Sequence, residues 1–386
     1  MTGVEIDSRR VSPGDLFVAV GGGAAYLADA RARGAAATLV PDDEFAALAA
    51  LGRAVRALSS ARVVAITGSV GKTSTKDILA SLLRPHVRVV AAEAGFNNEL
   101  GLPLTLCRIE PDTEVVVTEM GMRGSGQIRA LAAIAVPEIG VVTAVAPVHL
   151  ELLGSIENIL RAKAELLEAL PAGGVAVIPD DTPELESFVP AGVAVRRFAE
   201  PPVEVRDGRA HVQHDGREIV FSFAARHQAR NAAAALAVCD ALGVTPAEAV
   251  EVVFSRWRSQ ETELPGGGLL INDAWNANPV AMAAALAHLR DRAAGRRTIA
   301  ILGEMAELGD EAPRFHREVD TSGIDVVVGV GELARAYEPD EWVATAAEAG
   351  RLAHQLVGAG DVVLVKGSRS VGLEVVADAL AGATAP

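Results

Sequence analysis

The residues Gly68-Ser69-Val70-Gly71-Lys72-Thr73-Ser74 have the types and spacing that hold a chain of phosphates. Gly68 and Gly71 let backbone N–H groups turn inward around an anion, and Lys72 can reach the terminal phosphates. A hydroxyl from Thr73 or Ser74 can ligate Mg²⁺. An apolar strand over 63–67 precedes the run and a helix starting near Thr75 follows it, so the helix N-terminus adds its partial positive charge. Only Ser69 and Val70 separate the two glycines, a tighter loop than the usual spacing. A glycine turn beside an exposed lysine is the bland alternative, and the flanking strand and helix argue against it.

A magnesium site needs further oxygen or neutral nitrogen ligands. The strand 114–118 runs into Glu119, which puts a carboxylate at the carboxyl edge of a sheet, where ligands of open α/β sheets bind. Glu119 is therefore the Mg²⁺ candidate, with a salt-bridged structural glutamate as the alternative. His149 follows the strand 140–145 and falls at the same edge, either as a metal or substrate group or as a structural hydrogen-bond donor. Lys163 lies on the helix 155–170, near Arg161 and among Glu157, Glu165 and Glu168. That spacing reads as an ordinary ion pair on a solvated face.

The elements that must position these groups alternate along the chain. Strand-like runs over 62–67, 114–118, 139–145, 174–178, 298–302, 324–328 and 361–365 are nearly continuously apolar, as in parallel strands covered on both faces. Helical stretches over 74–83, 155–170, 230–242, 280–292 and 346–356 fall between them, which makes the fold class α/β with parallel sheets. The stretch 196–223 departs from this, with alternating residues and Asp-Gly turns at 207–208 and 215–216 typical of antiparallel hairpins. Three units follow: 1–60, ending in the helical stretch 44–58; 61–257, around the glycine loop; and 258–386, which resumes its strand–helix alternation after Pro265-Gly266-Gly267-Gly268.

Half of the 386 residues are hydrophobic and 22% are charged, ample material for packed cores. A net charge of −15 argues against nucleic acid and anionic membranes as general partners, since both need a positive field. Cys107 and Cys239 sit among apolar residues with no CxxC or Cys/His metal spacing, so two buried thiols in a reducing compartment are expected. The first ten residues lack an apolar signal segment, and no apolar run approaches the roughly 20 residues that span a bilayer. A cytoplasmic protein without membrane insertion is the expectation.

The quoted residues resemble the Mur ligases of peptidoglycan synthesis, over nearly the whole chain. The resemblance runs from Asp7-Ser8-Arg9 and Pro13–Ala19 through the glycine loop, Phe96-Asn97-Asn98-Glu99, Thr118–Arg123 and the Ala162–Leu166 string. It ends in Asn272-Asp273-Ala274-Trp275-Asn276-Ala277-Asn278-Pro279, Leu302–Gly309 and Lys366-Gly367-Ser368-Arg369. It implies a small N-terminal α/β domain for the UDP-substrate, a central P-loop parallel-sheet ATPase domain and a C-terminal Rossmann-like ligase domain. The last-domain strings resemble in particular the family's ligase of UDP-N-acetylmuramoyl-tripeptide with D-alanyl-D-alanine, through an acyl phosphate, in cell-wall synthesis.

The same resemblance implies ATP and Mg²⁺ as cofactors and those two molecules as substrates; the protein is expected to be a monomer. It makes Thr73, Glu119, His149 and Lys163 metal-associated, Lys163 as a carbamate, and gives Lys72, Lys163, His149 and Glu119 to catalysis. Asn231 would meet adenine, Arg258 the γ-phosphate, and Asp273 and Asn276 would close over ATP from the last domain. Ser8, Arg9, Asn97, Asn98 and Lys366 would serve the other substrates. The chain departs from the family in the uncharged Gly21–Tyr26 segment, in Thr143-Ala144-Val145-Ala146, and at Gln228, where asparagine is familiar. Two alternatives are a ligase of this type with another carboxylate and amine, such as the folylpolyglutamate or cyanophycin relatives, and a P-loop nucleotide switch without ligase activity. A switch would have no need of a third unit contributing Asp273 and Lys366. If the site spans the second and third units, they should close around ATP.

Overall fold

The computed structural model describes every residue except Met1, Ala94, Val148, His149 and 383–386. Four sheets organise it. The small N-terminal sheet holds three parallel strands, Val4–Glu5, Leu16–Val18 and Ala37–Leu39. Its helix Glu44–Leu58 starts at Asp43, whose carboxylate accepts from Ala46 N, and leads into the first central strand.

The central sheet has six strands, all parallel, in the order Val89–Ala91, Val115–Glu119, Arg62–Thr67, Ile139–Val142, Val175–Pro179, Ala194–Phe198. The inner strands are nearly all apolar and buried because helices cover both faces, whereas the edge strand Ala194–Phe198 is mixed and partly exposed. On one face Ile78, Leu79, Leu82 and Leu83 of the helix Lys72–Leu83 pack with Ala232, Ala235 and Val238 of the helix Gln228–Leu242. Full burial of each large side chain there contributes about 1.5–3 kcal/mol. On the other face Ile128 and Leu131 of Gln127–Ala135 meet Ile159, Ala162 and Leu166 of Ile156–Glu168.

A four-stranded sheet joins Val203–Arg206, Arg209–His214 and Arg217–Phe221 in antiparallel order, with Ala249–Val250 parallel at its edge. Its two Asp-Gly turns have both central residues at positive φ, Asp207 at 51° with Gly208 at 74° and Asp215 at 48° with Gly216 at 74°, as tight hairpins require. The hairpin region begins later than the sequence suggests. Ala194–Phe198 pairs in parallel with Val175–Pro179 and closes the central sheet.

The C-terminal sheet has the order Gln260–Leu264, Gly268–Asp273, Val362–Lys366, Thr298–Gly303, Val326–Val330, Glu341–Val343, with only the first strand antiparallel. Thus the antiparallel strand Gln260–Leu264 precedes the glycine turn at 265–268 and already belongs to this sheet. No helix among the described residues is long and apolar enough to cross a membrane.

Candidate active site

The loop 68–71 leaves the central sheet from strand Arg62–Thr67, between strands Val115–Glu119 and Ile139–Val142. Both neighbours pin it. Thr143 Oγ1 donates to Val70 O at 2.5 Å, and Ser69 Oγ donates to Ala146 O at 2.9 Å. Gly71 has φ 84° and touches Asn231 Oδ1 so closely that a Cβ there could not fit; glycine is required on both counts. Lys72 opens the following helix and donates from Nζ to Gly68 O at 2.8 Å, folding back over the loop. Burial lowers its pKa; Glu119 opposes that shift and Arg258 adds to it.

Glu119 ends its strand 2% exposed, with both carboxylate oxygens engaged. Oε2 accepts from Thr73 Oγ1 at 2.9 Å and Oε1 accepts from Asn97 Nδ2 at 2.9 Å. Among the described residues it makes no ion pair, so the salt-bridged reading does not describe it. A hydroxyl and a carboxylate in contact at the mouth of a phosphate loop are the hard oxygen donors that Mg²⁺ takes, and the site fits that ion. Arg258 Nη2 also donates to Thr73 Oγ1, at 3.3 Å.

Lys163 corrects the solvated-face expectation. It is 2% exposed, lies inside the cleft, and makes no hydrogen bond or ion pair among the described residues. Burial and the nearby Lys72 hold its pKa well below the usual lysine range. The glutamates that spacing offered as partners are used elsewhere: Glu165 accepts from Gly126 N and Arg129 N, and Glu168 pairs with Arg129. A helix packed on two sides has no single solvated face, which is why spacing misplaced this lysine. His149 lies outside the described residues.

The C-terminal sheet supplies the opposite wall. Asp273 ends strand Gly268–Asp273 and accepts from Lys366 Nζ at 2.5 Å and from Ser259 N at 3.0 Å. Lys366, 1% exposed, also donates to Asn276 O at 3.0 Å, so its ammonium is committed to holding this wall together. Asn276 is exposed, whereas Asn278 caps the helix Pro279–Ala293 through Ala281 N. Trp275 stacks on Trp257 with centroids 5.8 Å apart, and the Arg258 guanidinium lies 5.7 Å from its ring.

Loop residues 68–74, Glu119, Lys163, Asn231, Arg258, Asp273, Asn276, Lys366, Asn97 and Asn98 all line one cleft of ≈ 1030 Å³ between the two sheets. Asn97 serves Glu119, and Asn98 Oδ1 accepts from Gly101 N at the start of the helix Gly101–Leu106. Ser8 and Arg9 do not line the cleft; Arg9 is exposed and pairs with Asp7 at 2.7 Å. Sequence reasoning missed Thr143, Trp275 and the bidentate Asp181–Arg230 pair (2.7 and 2.8 Å), all lining the cleft. Trp275 stands inside a string that was singled out, and one of only three tryptophans there was a usable signal.

Comparison with known proteins agrees with this geometry. Residues 66–239 match the Mur ligase middle domain and residues 255–369 the Mur ligase glutamate ligase domain. The UDP-N-acetylmuramoyl-tripeptide–D-alanyl-D-alanine ligase of Mycobacterium tuberculosis is 36% identical, across 98% of this chain and 91% of that protein. MurF from Acinetobacter baumannii superposes with a TM-score of 0.84 at 27% identity, over 98% of this chain and 93% of that one. MurF from Thermotoga maritima, solved with ADP, gives 0.83 at 27% identity, over 99% and 97%. With both family domains matched and a relative this similar along nearly its whole length, the chain belongs to the Mur ligase family.

Proposed function

We propose that this protein joins UDP-N-acetylmuramoyl-tripeptide to D-alanyl-D-alanine at the expense of ATP, a step of peptidoglycan precursor synthesis carried out in the cytoplasm. The observation that carries the reading is one cleft in which Lys72, the Thr73–Glu119 pair and Arg258 meet Asp273 from the opposite sheet. The near full-length likeness to proteins of that activity names the substrates.

The tripeptide's terminal carboxylate attacks the γ-phosphorus, the bond to the bridging oxygen breaks, and ADP leaves. The nucleophilic amine then adds to the acyl carbon, and the tetrahedral species expels phosphate as the nitrogen loses a proton. Loop N–H groups and Lys72 bind the phosphates and spread the charge that builds on the transferring group. Arg258 adds a second cation from the strap 251–259, which joins the strand Ala249–Val250 to Gln260–Leu264 of the C-terminal sheet. Bound Mg²⁺ would neutralise phosphate oxygens, and Thr73 and Glu119 are the residues to hold it. Lys163, buried and without an anionic partner among the described residues, is disposed to react as a neutral amine with CO₂: nitrogen bonds carbon, one proton leaves, and the carbamate offers an anionic oxygen to the same site. His149 is assigned to the metal group on sequence grounds. Ser8 and Arg9 are assigned to the UDP end, Asn97 and Asn98 to the peptide, and Lys366 to positioning Asp273. The domain limits 1–60, 61–257 and 258–386 and a monomeric state complete the reading.

Phosphate release with a panel of UDP-muramoyl-peptides and amines, with products read by mass spectrometry, tests it. Turnover should require both the tripeptide and D-alanyl-D-alanine. Amide formation on a folate or another carboxylate instead would replace the substrates, and no amide with any pair would leave a nucleotide-binding module.

A further inference from the structure

A line of polar contacts leaves the phosphate loop and runs toward the C-terminal domain. Asn231, whose Oδ1 lies against Gly71, donates from Nδ2 to Gln228 Oε1 at 2.7 Å. That fixes the orientation of the Gln228 amide, so its Nε2 donates to His227 Nε2 at 3.2 Å. An imidazole that accepts at Nε2 carries its proton at Nδ1 when neutral. Burial favours the neutral form, lowering the His227 pKa to about 4, with Asp273 opposing and His288 and Lys366 adding to the shift.

His288 faces it from the helix Pro279–Ala293 of the C-terminal domain, with ring centroids 6.1 Å apart and planes nearly perpendicular. His288 is 3% exposed. Its Nε2 lies 2.9 Å from Glu261 Oε1, and Arg292 holds the same carboxylate at 2.9 and 2.8 Å. Facing a carboxylate, Nε2 carries a proton, and in that tautomer Nδ1 is the ring's acceptor. That Nδ1 is buried and has no hydrogen-bond partner among the described residues. Beside this pair Arg226 meets Asp291 at 3.3 Å across the same junction, though both are too exposed to contribute much.

The His227 ring on one domain thus stands beside a ring on the other whose buried Nδ1 is unsatisfied among the described residues, and such a group asks for an explanation. We propose that His288 is a positioning residue for the ligase reaction: when the domains settle on bound nucleotide, His227 Nδ1–H donates to His288 Nδ1, directly or through one water. The hydrogen-bond line then runs unbroken from Asn231 at the phosphate loop to Glu261 at the edge of the C-terminal sheet, and the nucleotide's seat and the closing wall become one unit. The role of this latch in turnover rests on the ligase reading; its effect on nucleotide binding does not.

Two variants separate the ring's nitrogens. His288→Asn keeps an acceptor near the place of Nδ1 and gives up the bond to Glu261, whereas His288→Gln keeps a donor toward Glu261 and gives up the acceptor. His288→Leu removes both. Each is measured for affinity toward a non-hydrolysable ATP analogue with Mg²⁺ by calorimetry, for kcat and KM of ATP, and for melting temperature. One hydrogen bond lost from the closed state should weaken the analogue and lower kcat/KM by about 3- to 10-fold in the Leu and Gln variants, with Asn within about twofold of wild type. The reverse order, Gln like wild type and Asn impaired, would mean that His288 serves only Glu261 and would overturn the proposal. So would three folded variants with unchanged analogue affinity, whatever their ligase rates. A wild-type protein that binds the analogue but forms no amide sinks the ligase reading while leaving the affinity order to decide the latch.

Discussion

At the scale of single residues, Lys163 is where burial and chemistry diverge most from appearance. A charged ammonium in that cleft would lack an anion, and moving it out of water unpaired is costly. Burial, and after it the nearby Lys72, hold its pKa well below the usual lysine range and so favour the neutral amine. In the proposed reaction a neutral amine captures CO₂, and the carbamate would turn a misplaced cation into a metal-side ligand. Enzyme stripped of CO₂ and bicarbonate should lose about 10- to 100-fold in ligation rate, as when a group supporting a metal site is removed. Adding bicarbonate should restore it. Full activity without CO₂ would show that Lys163 works unmodified.

At the scale of elements, the helix Lys72–Leu83 does more than present the phosphate loop. One turn in, Lys76 Nζ donates to Ala92 O at 2.7 Å and pairs with Asp77 Oδ1 at 2.8 Å, both side chains buried. Asp77 Oδ2 accepts from Ser255 N at 2.8 Å, and Ser81 Oγ from Val253 N at 3.3 Å. The phosphate helix thus grips the strap that carries Arg258 into the cleft. Asp77→Ala would strand the buried Lys76 charge and free the strap, costing about 3–5 kcal/mol in stability. A lower urea midpoint together with reduced kcat is the expected result; an unchanged midpoint would mean that the strap is held by other contacts.

The glycine loop was legible in the sequence because phosphate binding there uses contiguous residues between a strand and a helix. Glu119 was legible because a buried strand points its last residue at the sheet edge. Lys366 was singled out by resemblance as a substrate group, but its bond to Asp273 on the neighbouring strand leaves no trace in spacing. Spacing also gave no sign that Asn98, read as a substrate group, caps a helix through its Oδ1. The strap contacts of Lys76 and Asp77 and the His227–His288 junction join residues 60 to 180 positions apart, and one-dimensional spacing carries no trace of them. The parallel sheets were plain from their apolar runs, while the edge strands Ala194–Phe198 and Gln260–Leu264, partly exposed and mixed in composition, were misjudged.

At the scale of the whole molecule, the cleft is built from two sheets that meet through a short strap, so its geometry depends on how the domains sit. Trp257 and Ser259 on that strap have φ of 62° and 47°, a region bulky residues rarely adopt, and the Trp257–Trp275 stack offsets the strain. Residues of both walls line the cleft, so a nucleotide bound as proposed should shift the free protein toward the closed arrangement described above. Small-angle scattering should show a smaller radius of gyration with a Mg²⁺-bound ATP analogue than without. Superimposable curves would contradict closure as part of the cycle.

The central claim is that the cleft activates a carboxylate by phosphorylating it, and the fate of one oxygen atom tests this most directly. With the tripeptide's terminal carboxylate labelled with ¹⁸O, each amide formed should release inorganic phosphate carrying one ¹⁸O atom, detected by mass spectrometry or by ³¹P NMR. Amide formed with unlabelled phosphate would contradict the account.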